Sequence, residues 1–199
     1  MNNEATIRIG VLGGTFDPIH IGHLAAASEV FAVLSLDRLL IVPAARQPFK
    51  ASDSAASSEH RLAMARLAVA EDPRLEVSSV DIDRGAPTYT IDTLTDLAAD
   101  FPGAEWCFIT GADALARLGE WKDSERLRSM ATFVGVTRPG YQIPSGLGDL
   151  ALVEVPALGV SSTDVRRRVS LGLPIRYLVP DVVADYIGEH ELYLGGSRG

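Results

Sequence analysis

Short apolar runs alternate with amphipathic stretches along most of the chain. Residues 7–12 (Ile-Arg-Ile-Gly-Val-Leu) read as a buried strand, and residues 24–31 read as a helix. Residues 38–42 form a second strand ended by Pro43, and the stretch 43–51, with its prolines and small residues, is a loop. The polar run 52–58 leads into a helix over 59–68, with a serine just ahead of it as N-cap. Residues 75–80 alternate as a strand, and residues 81–87 make a turn-rich connection. Thr88, Tyr89 and Thr90 then open a helix with apolar Ile91, Leu94, Leu97 and Ala98, ended by Pro102-Gly103. Residues 106–109 and 132–136 are further strands, and 152–155 is the last. Two helices follow, one over 162–169 that ends near Gly172 and one over about 180–189.

Strands that alternate with helices predict βαβ units and a parallel sheet. The expected fold class is α/β: a Rossmann-like doubly wound parallel sheet with the C-terminal helices packed beside it. The pattern shows no internal repeat and no domain boundary, so residues 1–199 are expected to form one domain. In such sheets ligands sit beyond the carboxyl ends of the strands, near the point where strand order reverses. The loops 13–23, 43–50 and 110–113 each follow a strand and are expected to converge there.

Composition narrows the function classes. The 199 residues, 47% of them hydrophobic, can bury a sizeable core. No apolar run is long enough to span a bilayer, and residues 1–5 lack the features of a signal peptide, so a cytoplasmic protein is expected. The single cysteine, Cys107, excludes an intrachain disulfide. A net charge of −8 argues against general nucleic-acid binding. Basic residues near strand ends therefore carry information, and the only two lysines are Lys50 and Lys122.

The chemistry concentrates in residues 13–23, Gly-Gly-Thr-Phe-Asp-Pro-Ile-His-Ile-Gly-His. Strand, glycine turn and helix build an anion site. Gly13 and Gly14 have no Cβ, so the backbone can take unusual φ values and approach a phosphate, and the helix start offers unpaired N–H groups. His20 and His23 lie three apart and share a face if both are helical. Two imidazoles aimed at such a site can donate to oxygens that gain charge in a reaction. His-x-x-His is also a metal spacing, but no further ligands cluster beside it, and no protein metal site is expected. A second cradle is Ser161-Ser162-Thr163 at a helix start, with Arg166 about one turn in.

The stretch 13–23 resembles the Gly-x-Phe-Asp-Pro-x-His-x-Gly-His signature of the nucleotidylyltransferase superfamily. Its double glycine and its Phe-Asp-Pro-Ile-His spelling are similar to the nicotinate mononucleotide adenylyltransferase branch. The segment Ser161–Arg166 is similar to the superfamily's Ser-Ser-Thr-x-x-Arg, and residues 89–94 resemble the branch's Tyr-Thr-x-x-Thr-Leu. The resemblance implies that His20, His23 and Arg166 are catalytic, acting on the ATP triphosphate. It implies that Gly13, Gly14, Thr15, Phe16, Gly111, Asp113, Ser162 and Thr163 also bind ATP. It further implies that Arg46, Lys50, Tyr89, Thr90, Trp121 and Arg138 serve the substrates, with Trp121 stacking on a pyridine ring. The branch commonly has a histidine before the lysine, where this chain has Phe49.

The implied reaction is adenylyl transfer from ATP to nicotinate mononucleotide, with Mg2+ held mainly by phosphates and water. Phosphopantetheine adenylyltransferase and a nicotinamide mononucleotide enzyme are the close alternatives. A nucleotide-binding regulator on the same scaffold is the alternative from another class. A class I tRNA synthetase shares His-Ile-Gly-His but needs a longer chain and a Lys-Met-Ser-Lys-Ser-like loop. ATP and the mononucleotide are the expected partners, with neither nucleic acid nor membrane, and a homo-oligomer is left open.

Overall fold

The structure, a computed structural model, describes residues 6–46, 55–85, 87–140, 150–156 and 158–195. Among the described residues six strands form one parallel sheet. They are β1 (Arg8–Gly14), β2 (Arg38–Pro43), β3 (Leu75–Val77), β4 (Glu105–Gly111), β5 (Ala131–Thr137) and β6 (Ala151–Glu154). The order β3-β2-β1-β4-β5-β6 runs outward from β1 on one side and resumes with β4 on the other. The reversal between β1 and β4 opens a crevice at their carboxyl ends.

Side chains alternate across a strand, and the inner strands are buried on both faces, while the edge strands β3 and β6 expose Glu76 and Glu154. Leu39 and Ile41 of β2 enter one core, while Leu40 and Val42 enter the other. Leu12 of β1 joins the first core, and Ile9 and Val11 the second. The first core is covered by α1 (Ile21–Val33), α2 (Ser58–Val69), α7 (Ser162–Ser170) and α8 (Asp181–Glu189), through Val30, Met64, Val165 and Val183 among others. The second is covered by α4 (Thr90–Asp100), α5 (Ala112–Leu115) and α6 (Ser124–Met130), through Leu94, Leu115 and Leu127. The doubly wound α/β sheet is as expected, and the C-terminal helices pack on one face of it.

Two segments differ from the sequence reading. Strand β3 stops at Val77, and residues expected to extend it and then turn instead form α3 (Val80–Arg84). The Val80 N–H donates to Ser78 Oγ at 3.3 Å, and the buried Asp81 carboxylate accepts from the Thr93 hydroxyl at 2.6 Å and from Arg84 at 2.8 Å. These polar contacts outweigh the alternation that pointed to a strand. Val80 still packs against the second core, from the first turn of a helix. The second segment is α6, which the pattern does not announce. Leu127 is its one buried residue and Met130 packs beside it, and one such step in seven residues leaves no period to read. No helix among the described residues is long and apolar enough to cross a membrane.

Leu94 is fully buried in the second core, whereas Leu171 is 56% exposed. Leu94→Ala is expected to lower unfolding free energy by about 2–5 kcal/mol. Leu171→Ala is expected to change it by less than about 0.5 kcal/mol. Urea titrations of the two variants check this contrast.

Candidate active site

The loop after β1 is shaped by rings rather than by glycine φ angles. Gly13 and Gly14 lie within β1, and neither has the left-handed φ that the sequence reading allowed for. That conformation belongs to Phe16, with φ of 50°. The Phe16 ring turns back under the strand, so that a Cβ on Gly14 would stand 2.8 Å from it. Phe16 is 2% exposed and packs in the first core, with its ring edge toward His23 at 5.0 Å between centroids. Its side chain is thus a wedge that sets the path of the loop.

His20 and His23 are brought together, but not as two residues on a helical face. His20 is the N-cap of α1 with extended φ and ψ of −145° and 170°, and His23 is three residues inside. Their rings stack at 3.7 Å between centroids and 20° between planes. The His20 N–H donates to His23 Nδ1 at 3.2 Å, so the proton of neutral His23 sits on Nε2. Gly22 permits the stack, because a Cβ there would lie 3.1 Å from the His20 ring and 3.1 Å from Val160. His20 is 7% exposed, and burial pulls its pKa down to about 4, only partly offset by a backbone hydrogen bond. It is therefore neutral at pH 7.

Helix α7 docks its start on the same loop. Ser161 is its N-cap, and its hydroxyl accepts from the Asp164 N–H at 3.1 Å. The Ser162 hydroxyl, expected at the ATP site, donates to the Pro18 carbonyl at 2.9 Å. Arg166 donates through Nη1 to the Asp17 carbonyl at 2.6 Å and through Nη2 to Thr163 Oγ1 at 3.3 Å. Thr163 is exposed, while Arg166 is half-buried. Arg167 points away and pairs with Asp164 at 3.7 Å.

A cavity of about 270 Å³ opens where the ends of β1, β2 and β4 meet. Gly13, Gly14, Ala44 and Thr110 reach it from the three strand ends, so the expected convergence of loops is present. Tyr89, Thr90 and Trp121 complete its wall. Trp121 is set edge-to-face on Phe108 at 5.9 Å and on Phe133 at 6.0 Å, which fixes the indole plane. The N-cap of α4 is Tyr89 rather than a threonine, and the helix starts at Thr90, which lines the cavity together with Tyr89. Lys122 also lines the cavity, with Nζ 3.1 Å from Asp92 and 4.7 Å from the Tyr89 ring centre. Asp81 stands on the same wall, and burial raises its carboxyl pKa against the pull of Thr93 and Arg84.

Other expected residues flank this centre. Gly111 caps α5, and Asp113 is exposed in its first turn. Arg46 is exposed, and its carbonyl accepts from the Thr88 N–H at 2.9 Å, which holds its loop against the start of α4. Arg138 is exposed just past β5, away from the cavity wall. Lys50 and Phe49 lie outside the described residues.

Sequence reasoning missed a buried polar group beneath the loops. Arg61 of α2 is 1% exposed and donates to the Thr15 carbonyl at 2.7 Å and to the Ala45 carbonyl at 3.0 Å. Asp17 is 5% exposed and accepts from the Ala55 N–H at 2.7 Å, the Ala56 N–H at 3.1 Å and the Tyr193 hydroxyl at 2.7 Å. Burial and the Asp17 charge push the Tyr193 phenol far above its ordinary range. Periodicity could not reveal Asp17 or Tyr193. A charged Arg61 inside an otherwise apolar helix face was the available signal, and for Lys122 it was the rarity of lysine.

Comparison with known proteins places this arrangement. The cytidylyltransferase-like family model matches residues 11–168, from the middle of β1 into α7. A relative from Corynebacterium kroppenstedtii, named "Probable nicotinate-nucleotide adenylyltransferase", is 53% identical over 196 residues, covering 96% of this chain and 93% of its own. One of the same name from Streptomyces coelicolor is 55% identical over 188 residues, covering 92% of this chain and 100% of its own. Among solved structures, Plasmodium falciparum nicotinic acid mononucleotide adenylyltransferase complexed with NaAD superposes with a TM-score of 0.77. It is 19% identical and the match covers 94% of this chain and 97% of that one, a likeness of fold. With strand order, signature loop and sequence all in agreement, the chain belongs to the cytidylyltransferase-like family, on the branch whose members bear the name nicotinate-nucleotide adenylyltransferase.

Proposed function

We propose that this chain transfers the adenylyl group of ATP to nicotinate mononucleotide, forming nicotinate adenine dinucleotide and pyrophosphate. One observation carries the reading. A cavity bounded by Trp121 and the start of α4 adjoins, across Gly13-Gly14, the loop that leads into His20 and His23 and onto which Arg166 of α7 is anchored. The cavity suits a pyridine ring with a small anion, and the loop suits a polyphosphate. An oxygen of the mononucleotide phosphate attacks the α-phosphorus in line, and the bond to pyrophosphate breaks. The attacking group is already an anion, so positioning and charge neutralisation supply the catalysis.

In this reading the Nε2–H of His23 and the guanidinium of Arg166 donate to the leaving pyrophosphate. His20, held neutral by burial, adds a directional donor rather than a fixed charge. Thr163, Gly111 and Asp113 border the nucleotide, and Arg46 and Lys50 act on the mononucleotide. Ser162 contributes by fastening α7 to the Pro18 carbonyl. Among the described residues no three His, Cys, Asp or Glu side chains gather to hold a metal. Mg2+ is accordingly assigned to phosphate oxygens and water, where it screens phosphate charge.

His20→Ala, His23→Ala and Arg166→Ala are each expected to lower kcat by about a hundredfold or more, since single donors at developing charge are worth roughly 2.7–4 kcal/mol. Pyrophosphate release from ATP and nicotinate mononucleotide is the assay, with circular dichroism to confirm the fold. Wild-type turnover in all three variants would remove the assigned roles.

The acid mononucleotide is expected to exceed the amide in kcat/KM by at least about tenfold. N–H donors at the α4 start pair with a carboxylate but leave a carboxamide NH₂ facing a donor. Trp121→Ala should weaken both acceptors alike, because stacking does not read the acid group. Equal efficiency of the two acceptors in the wild type would move the assignment to the amide enzyme.

Stability should also report on His20. Its folded pKa of about 4 lies below its ordinary 6.5, so as pH falls between these values the unfolded chain takes up a proton that the folded chain does not. That share of stability is present above pH 6.5 and is lost as pH falls toward 4. His20→Gln should therefore show a smaller drop in melting temperature than wild type between about pH 7.5 and about pH 4.5. Parallel pH profiles for the two proteins would contradict the buried neutral imidazole.

A further inference from the structure

Arg166 does not reach the triphosphate loop unaided. Its Nη1 is anchored on the Asp17 peptide carbonyl at 2.6 Å and lies 4.0 Å from the Asp17 carboxylate. What fixes Asp17 then fixes the guanidinium. Two of the donors to its carboxylate are the backbone N–H groups of Ala55 and Ala56, ahead of α2. The third is the Tyr193 hydroxyl, which arrives from beyond α8, 176 residues along the chain.

Tyr193 is held in place by more than this bond. Its ring packs against the first core, and the neighbouring Leu192 N–H donates to the Ile187 carbonyl at 3.0 Å. Its backbone has a φ of 62°, and Glu191 has a φ of 50°, both in the left-handed region that side chains disfavour. The chain accepts these conformations where they swing the phenol back to Asp17. None of the Asp17, Tyr193 and Arg166 side chains lines the acceptor cavity.

We propose that Tyr193 is a positioning residue for the triphosphate side of the site: its hydroxyl fixes Asp17, and Asp17 fixes the Arg166 guanidinium. The inference rests on the assignment of Arg166 to the triphosphate made above. It predicts a defect on one substrate only. Tyr193→Phe keeps the ring and its packing and removes the hydroxyl alone.

The test is steady-state kinetics on the full chain as wild type, Tyr193→Phe, Arg166→Ala and the double variant. Tyr193→Phe should lower kcat/KM for ATP by about tenfold, as loss of a hydrogen bond to a charged group does. KM for nicotinate mononucleotide should stay within about twofold of wild type. On the Arg166→Ala background the same change should cost less than about twofold, because two residues acting through one contact are not additive. Wild-type kcat/KM for ATP in Tyr193→Phe, equal losses on both substrates, or the same loss on both backgrounds would each overturn the proposal, whatever happens to the melting temperature. Wild-type turnover in Arg166→Ala would overturn the Arg166 assignment itself and this inference with it, so the two failures appear in different single variants.

Discussion

A buried cation holds the loops after β1 and β2 in register. Arg61 sits beneath the sheet end with its guanidinium on the carbonyls of Thr15 and Ala45, one from the loop after β1 and one from the loop after β2. A buried charge is costly unless it is hydrogen-bonded, and these two carbonyls, with the Asp17 charge nearby, offset much of that cost, although Nε has no partner among the described residues. Further bonds extend the register. The Ala44 N–H donates to the Gly14 carbonyl at 2.8 Å, and the Ala45 N–H donates to Thr88 Oγ1 at 3.1 Å. The loop that carries the histidines, the loop that carries Arg46 and the start of α4 are thereby one connected piece of backbone.

The parallel sheet supplies the frame for that piece. Strand β1 has a partner on each side, and the chain leaves it toward β2 and later returns to its other edge as β4. Helices on opposite faces must diverge at this point, and the crevice between them is where the cavity lies. In the proposed reaction two anionic substrates would meet a chain of net charge −8 there, and helix starts, N–H groups and a few placed cations would set the local potential.

Much of this architecture was legible in the sequence. Double burial makes strands such as β2 continuous apolar runs, and helices such as α4 carry a clear apolar stripe, so the order of elements could be read directly. The signature loop was legible because its residues are local: Phe16, His20, Gly22 and His23 act within a few positions of one another. The rest was illegible for physical reasons. Arg61 and Tyr193 meet the loop across long sequence separations, and a buried polar contact of that kind leaves no periodic trace. α3 was hidden by an alternation that a few side-chain hydrogen bonds override, and α6 by its seven-residue length, which leaves room for only one apolar step, Leu127 to Met130. The inward turn of the Ser162 hydroxyl depends on where α7 docks, which the cap motif alone does not specify.

The bond between Asp17 and Tyr193 also has a meaning in time. During synthesis the loop after β1 emerges early, and the residues that pack on it through β2 and α2 follow soon after. Tyr193 follows 176 residues behind Asp17. Until then the loop carboxylate has only its backbone donors. A nascent chain can therefore build most of its sheet, one strand after another, before the loop around Asp17 takes its final shape.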